Sequence, residues 1–191
     1  MSTEKSKAQD VVTAASIMRP TGADSARAGG VYSVECRDAA GNLKWTDTFH
    51  NLVVNQGLQD MNSKYFSGSG YSATWFLGLV TGPGSGTTFA AGDTIASHAG
   101  WTENTAYTGN RKAVTFGTAT TADPSVISNS AAPSTFTMNA NAQTIAGAFL
   151  CSVATGTSGV LFSAGDFTGG DKIVDSGDTL SVTYTFSLDA A

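Results

Sequence analysis

The chain of 191 residues can hide roughly 70 % of its unfolded surface and so build one real core, and only 13 % of it is charged. A net charge of −5 excludes a general affinity for nucleic acid, because phosphate binding needs clustered Lys and Arg to displace counterions. Scarce Leu, Glu and Lys beside plentiful Gly, Ser, Thr and Ala exclude a helical bundle and predict a turn-rich β domain.

Residues 1–29 show no sustained alternation, are rich in Ala, Ser and Thr, and end in Ala28-Gly29-Gly30. They predict an extended N-terminal arm, with residues 30–191 forming the folded domain. The first thirty residues carry a net +1 and the remainder −6, so the body is acidic and the arm weakly cationic. Val11, Val12, Ile17 and Met18, followed by Arg19, are candidate anchors for a neighbouring protein. Thr13 and Ser16 break that apolar stretch, which suits neither a signal peptide nor a membrane span. A protein made in the cytoplasm is expected.

Val31–Arg37 and Leu43–Asn51 predict a hairpin across the turn Ala39-Ala40-Gly41-Asn42, with Leu43, Trp45 and Phe49 on one face. Leu58, Met61 and Phe66 recur at near-helical spacing, which predicts one short helix over 55–66, with Asn55 as N-cap and Gly68-Ser69-Gly70 as its stop. Trp75–Val80 is compact and apolar and predicts a strand buried on both faces. Gly82–Gly86 then reads as a loop, and Phe89–Gly109 as a long connection across one end of the sheets. Strand character resumes at Lys112–Gly117, Ser134–Met138, Ile145–Val153 and Gly159–Phe167. It is clearest at Ser181–Leu188, where Val182, Tyr184, Phe186 and Leu188 alternate with Ser and Thr behind the turn Asp175-Ser176-Gly177-Asp178. Eight or nine short strands without repeated crossover helices predict an all-β fold: an antiparallel β-sandwich, immunoglobulin-like or jelly-roll-like, with a closed barrel as the alternative.

No catalytic, cofactor or metal residue stands out. The Gly82–Gly86 loop lacks the Lys and following helix of a phosphate cradle, and neither Ser69 nor Ser85 sits in a nucleophile elbow. His50 reads as strand surface, and His98 as a partner for nearby backbone. Asp166, Asp171, Asp175 and Asp178 supply oxygens of the kind calcium takes, yet their spacing is not that of an EF-hand, and turn-forming aspartates are the expectation. Cys36 and Cys151 lie in apolar alternating stretches and predict buried free thiols from a reducing place of synthesis, a disulfide between them being the alternative. Trp101 and Tyr107, near Arg111, are candidates for a partner- or sugar-stacking surface, against packing of the long connection onto the sandwich.

An ordered set of phrases then carries a resemblance: Asn51-Leu52-Val53-Val54-Asn55-Gln56-Gly57-Leu58, Trp75-Phe76-Leu77-Gly78-Leu79, and Phe89-Ala90-Ala91-Gly92-Asp93-Thr94 running to Gly100-Trp101-Thr102-Glu103. Tyr107 with Arg111, Asn129-Ser130-Ala131-Ala132, Gly147-Ala148-Phe149-Leu150 and Ser176-Gly177-Asp178-Thr179-Leu180 follow. In these phrases, over residues 43–188, the chain resembles small β-rich virion proteins of tailed bacteriophages and prophages, described as head-decoration, tail-fibre-like or structural proteins. The resemblance implies a non-enzymatic virion role without a cofactor, and supplies no catalytic residues. The implied function is capsid decoration, in which the protein binds the major capsid protein and stabilises the head shell, as a trimer or dimer made in the host cytoplasm. The alternative is a tail fibre or adaptor whose 82–86 and 89–109 loops meet the tail or a host receptor. A carbohydrate-binding or hydrolytic domain, the third reading, requires Trp101, Tyr107 or the aspartates to converge on a pocket.

Overall fold

The computed structural model describes residues 26–68, 74–82 and 87–190. The candidate anchors Val11, Val12, Ile17, Met18 and Arg19 lie outside them.

Among the described residues, twelve strands and one helix follow in chain order: β1 (Ala26–Arg37), β2 (Leu43–His50), β3 (Leu52–Val53), α1 (Asn55–Phe66), β4 (Trp75–Thr81), β5 (Thr102–Asn104), β6 (Lys112–Val114), β7 (Ser125–Ser128), β8 (Ser134–Thr137), β9 (Gln143–Cys151), β10 (Leu161–Asp166), β11 (Lys172–Val174) and β12 (Thr179–Ala190). They form two antiparallel sheets, as a sandwich requires. The first sheet runs β2-β1-β12-β7, with β8 also on β12, and the second runs β3-β10-β9-β4-β5, with β11 on β9 and β6 on β4. The expected eight or nine strands become twelve with β3, β5, β7 and β11, of two to four residues each, which are too short to show a period.

Strand β1 begins earlier than the composition implies. Ala26 already pairs with Ala190 and Gly29 with Ser187, so the Ala-Gly run assigned to the arm is the start of the strand. The hairpin turn is held by Asp38, whose Oδ1 accepts from the amides of Ala40 (2.9 Å) and Asn42 (2.8 Å), while Gly41 takes φ 87°. The Asn42 side chain and amide hold the Asp38 carboxyl below the usual carboxylate range. Of the face assigned to β2, Phe49 is buried and Trp45 half-buried, but Leu43 is exposed, lying beyond the register shift at Cys36/Arg37.

Strands β1 and β12 place Tyr32, Val34, Cys36, Leu180, Val182 and Tyr184 against Leu77, Leu79, Ile145 and Leu150 of the second sheet. That sheet has a second apolar face, where Val54, Val80, Ala146, Phe149 and Leu161 are roofed by Ile95 and Trp101 from the segment between β4 and β5. Two covered faces account for the unbroken apolar run of β4. The switch of face within β9 has a local cause. Val80 pairs with Gly147 and Thr81 with Ile145, leaving Ala146 as the extra residue of a β-bulge.

A hydroxyl network crosses the core, while among the described residues Trp45 Nε1, Asn51 Oδ1 and Thr87 Oγ1 are buried without a hydrogen-bond partner. The Tyr32 hydroxyl shares a 2.8 Å hydrogen bond with Ser163 Oγ, which also donates to Tyr184 Oη at 3.4 Å, and Asn51 Nδ2 donates to Tyr184 Oη at 3.0 Å. Strand β12 changes partner from β8, up to Val182, to β7, from Thr185. In that gap the buried Asn129 side chain stands in for a strand, accepting from Tyr184 N at 2.7 Å and donating to Val182 O at 3.3 Å. A backbone group left unpaired there would cost about 1–3 kcal/mol.

The helix spans the predicted residues, but its cap differs. Val54 holds the N-cap position, without a side-chain bond, and Asn55 N donates instead to Ala91 O at 2.8 Å. Nor does the apolar stripe point wholly inward. Gly57 is the buried residue, set so close to β10 that a Cβ would lie 2.5 Å from Phe162 O. Met61 packs on the core, while Leu58 and Phe66 face outward. Among the described residues no helix is long and apolar enough to cross a membrane.

Cys36 and Cys151 are free thiols, both buried. Burial pushes the Cys36 thiol up from about 9 to about 11, and likewise raises Cys151, Tyr32, Tyr107 and Tyr184. Each group is raised in the folded state, so the native protein holds its proton where the unfolded chain releases it. The stability this contributes is complete below pH 9 and is lost as pH rises through 11. Urea unfolding at pH 7.5 and 10.5 is expected to show a lower midpoint at 10.5, with at most about 2 kcal/mol lost from Cys36. Equal midpoints would contradict this assignment.

Candidate functional site

The chain between β4 and β6 carries Trp101, Tyr107 and Arg111 over the second sheet, Trp101 packing on its outer apolar face and Tyr107 in the core between the sheets. Trp101 is 5 % exposed. Its Nε1 donates to Asp93 Oδ2 at 3.0 Å, an oxygen that also accepts from Ala90 N, and its ring lies tilted on Phe149 at 5.1 Å. His98 stacks on the same indole at 3.8 Å and makes a 2.9 Å hydrogen bond through Nδ1 with Trp101 O, the backbone role expected of it. Tyr107 is 3 % exposed and meets Phe136 edge-on at 4.8 Å. Neither ring presents a face to a partner. Both rings pack the connection onto the sandwich, the reading set against a stacking surface in the sequence.

Beside them lies a cavity of about 210 Å³ lined by Glu103, Thr105, Tyr107, Asn110, Arg111 and Gly156. The buried Arg111 grips Glu103 with both prongs, Nε to Oε1 at 2.8 Å and Nη2 to Oε2 at 2.7 Å. Its Nη1 donates to the carbonyls of Val153 (3.1 Å) and Gly156 (3.0 Å), clamping the loop between β9 and β10. Burial works against the charge on Arg111, and the Glu103 carboxylate outweighs it, so the guanidinium pKa rises. Arg111 and Glu103 are thus spent on each other and on the loop carbonyls, which makes the pair a loop clamp.

The aspartates divide between two places. Asp178 is buried, with its Oδ2 receiving Lys44 Nζ at 2.5 Å and Asp175 N at 2.9 Å, inside the turn where Gly177 takes φ 89°. Asp166 is exposed, its pKa raised by partial burial and by Asp171. Among the described residues no cluster of three or more His, Cys, Asp or Glu could hold a metal ion. His50 is exposed on β2, as expected of strand surface. Of the glycine-rich loop after β4, residues 83–86 lie outside the described residues.

Two surfaces escape the sequence reading. The outer face of the first sheet is a field of hydroxyls, with a shallow hollow of about 420 Å³ lined in part by Ser33, Glu35, Thr46, Thr48, Ser181 and Thr183. These hydroxyls bond across strands, Ser33 with Thr48 at 3.2 Å and Thr185 to Ser128 at 3.0 Å. The second is the end of α1, where Tyr65 (84 % exposed) and Phe66 (78 %) meet edge-on at 4.9 Å. The adjacency of two aromatics was the available signal. Neighbours on a helix are about 100° apart, so the two cannot share one narrow buried stripe.

The geometry thus defines a class: an all-β, antiparallel two-sheet sandwich whose buried charges hold loops. No family model, curated protein or solved structure matches the chain.

Proposed function

We propose that this chain is a non-enzymatic structural protein of a tailed-bacteriophage virion, a decoration protein that binds the capsid shell and reinforces it. The observation that carries this reading is the use made of the buried polar groups. Asp47 receives the Thr168 and Gly169 amides at 3.1 and 3.0 Å, Asp93 holds Trp101, Arg111 and Glu103 clamp a loop, and Asn129 closes the β12 gap. Such a molecule is built for a rigid shape. The resemblance in its ordered phrases supports the virion setting, since those phrases supply the α1 junction, the cores of β4 and β9 and the turn into β12. Reinforcement would come by multivalency, with many copies each adding a modest contact that raises the cost of opening the shell.

The tail-component reading relies on the 82–86 loop and the 89–109 connection meeting a receptor, and in the connection the burial of Ile95, Trp101 and Tyr107 weighs against it. Copy number separates the two. Quantitative mass spectrometry of purified particles against the major capsid subunit, before and after tails are detached, is expected to find copies approaching the subunit count and staying with the heads. A few copies leaving with the tails would establish the fibre or adaptor, and absence from particles would overturn the virion reading.

A further inference from the structure

Among the described residues the two most exposed large apolar side chains, Tyr65 and Phe66, sit together at the end of α1, with Leu58 at 40 % exposure on the same flank, while Ile173 and Leu43 are exposed singly elsewhere. The orientation of the helix is fixed from beneath by Gly57 against Phe162 O and by Met61 in the core. With 3.6 residues per turn, Leu58, Asn62, Tyr65 and Phe66 then spread over about 100° of the surface turned away from β10. The exposed residues around the rings are uncharged: Gln59, Asn62 and Ser67. Asp60 and Lys64, the charged residues of the helix, are half-buried on its other side.

We propose that Tyr65 and Phe66 form the docking edge of this protein, inserting into an uncharged apolar pocket that recurs on each subunit of the shell; this inference rests on the decoration reading above. The size of the patch argues for a repeated partner over a second copy of the chain. Two rings exposed to this degree offer on the order of 300–400 Å². A stable pairwise interface uses about 800 Å² per partner. A contact of at most about half that area is weak alone and becomes effective when a lattice presents its pocket many times. The composition fits too, since aromatic anchors inside an uncharged rim lose little to desolvation.

The test uses the full chain and purified shells freed of it. Wild-type protein is expected to co-sediment with shells, and the double variant Tyr65→Ser/Phe66→Ser to retain at least tenfold fewer copies at an unchanged thermal midpoint. Asn62→Arg, which removes no packed atom and sets a charge between the rings and Leu58, is expected to act in the same direction. Equal retention of wild type and variants would overturn the docking edge and leave the decoration reading standing. Wild-type protein that fails to bind shells would overturn that reading and this inference with it. A wild-type dimer in sedimentation velocity that the double variant turns into monomer would overturn the shell partner in favour of a second copy.

Discussion

Gly147→Val is expected to leave the domain unfolded or destabilised by about 3 kcal/mol or more. Gly147 lies in the bulge of β9, between β4 and β10, where Val80 and Asp166 are its partners. A Cβ there would overlap the Gly165 carbonyl oxygen and lie 2.9 Å from that carbonyl carbon and 3.0 Å from Asp166 Cα. Those atoms belong to the backbone of a paired strand, so no side chain can turn aside; β10 would have to leave β9. The loss would spread to β3 and α1, which are anchored on β10. Urea unfolding followed by tryptophan fluorescence checks it, with Gly29→Ala as the control, since no atom lies within 4 Å of a Cβ at that position. Similar midpoints for both variants would show that β9 and β10 separate without penalty, contrary to the packing described.

Arg111→Ala is expected to cost about 3–5 kcal/mol, the range for removing one partner of a buried ion pair. The Arg111 side chain is 5 % exposed and that of Glu103 21 %. Its loss would leave the Glu103 carboxylate and the carbonyls of Val153 and Gly156 without their donors. The clamp depends on the planar fork, so Arg111→Lys is expected to recover less than half of the loss, a single ammonium being unable to serve two carboxylate oxygens and two carbonyls together. The double variant Arg111→Met/Glu103→Gln, which removes both charges, is expected to be more stable than Arg111→Ala. Chemical denaturation of the three variants measures this, and an Arg111→Ala protein within 1 kcal/mol of wild type would contradict the clamp.

Where the sequence was legible, one local period decided the outcome. Alternation along 181–188 reports a strand with one wet face, and the apolar run at 75–80 reports one covered on both, because side-chain direction follows directly from strand geometry. The Asp-Ser-Gly-Asp turn and the extent of α1 were readable for the same reason, being set by residues close in sequence. The candidate site was harder. Trp101 and Tyr107 are buried on opposite faces of the second sheet, and sequence does not distinguish an aromatic that stacks on a ligand from one that packs on a sheet. Their burial depends on Phe149 and Phe136, contributed by strands far along the chain.

By itself, then, the sequence determined the fold class, the hairpin, the extent of the helix, the buried thiols and the turn aspartates, all consequences of local periodicity, backbone preference and composition. The tertiary structure alone decided three further matters. It determined which face of α1 points outward, because Gly57 meets the β10 backbone and leaves Tyr65 and Phe66 exposed. It decided that Arg111 clamps a loop, because Val153 and Gly156 arrive from over forty residues away. And it started β1 at Ala26, because Ala190 stands opposite. Each of these turns on a partner distant in sequence, and no pattern along the chain records that such a partner will be there.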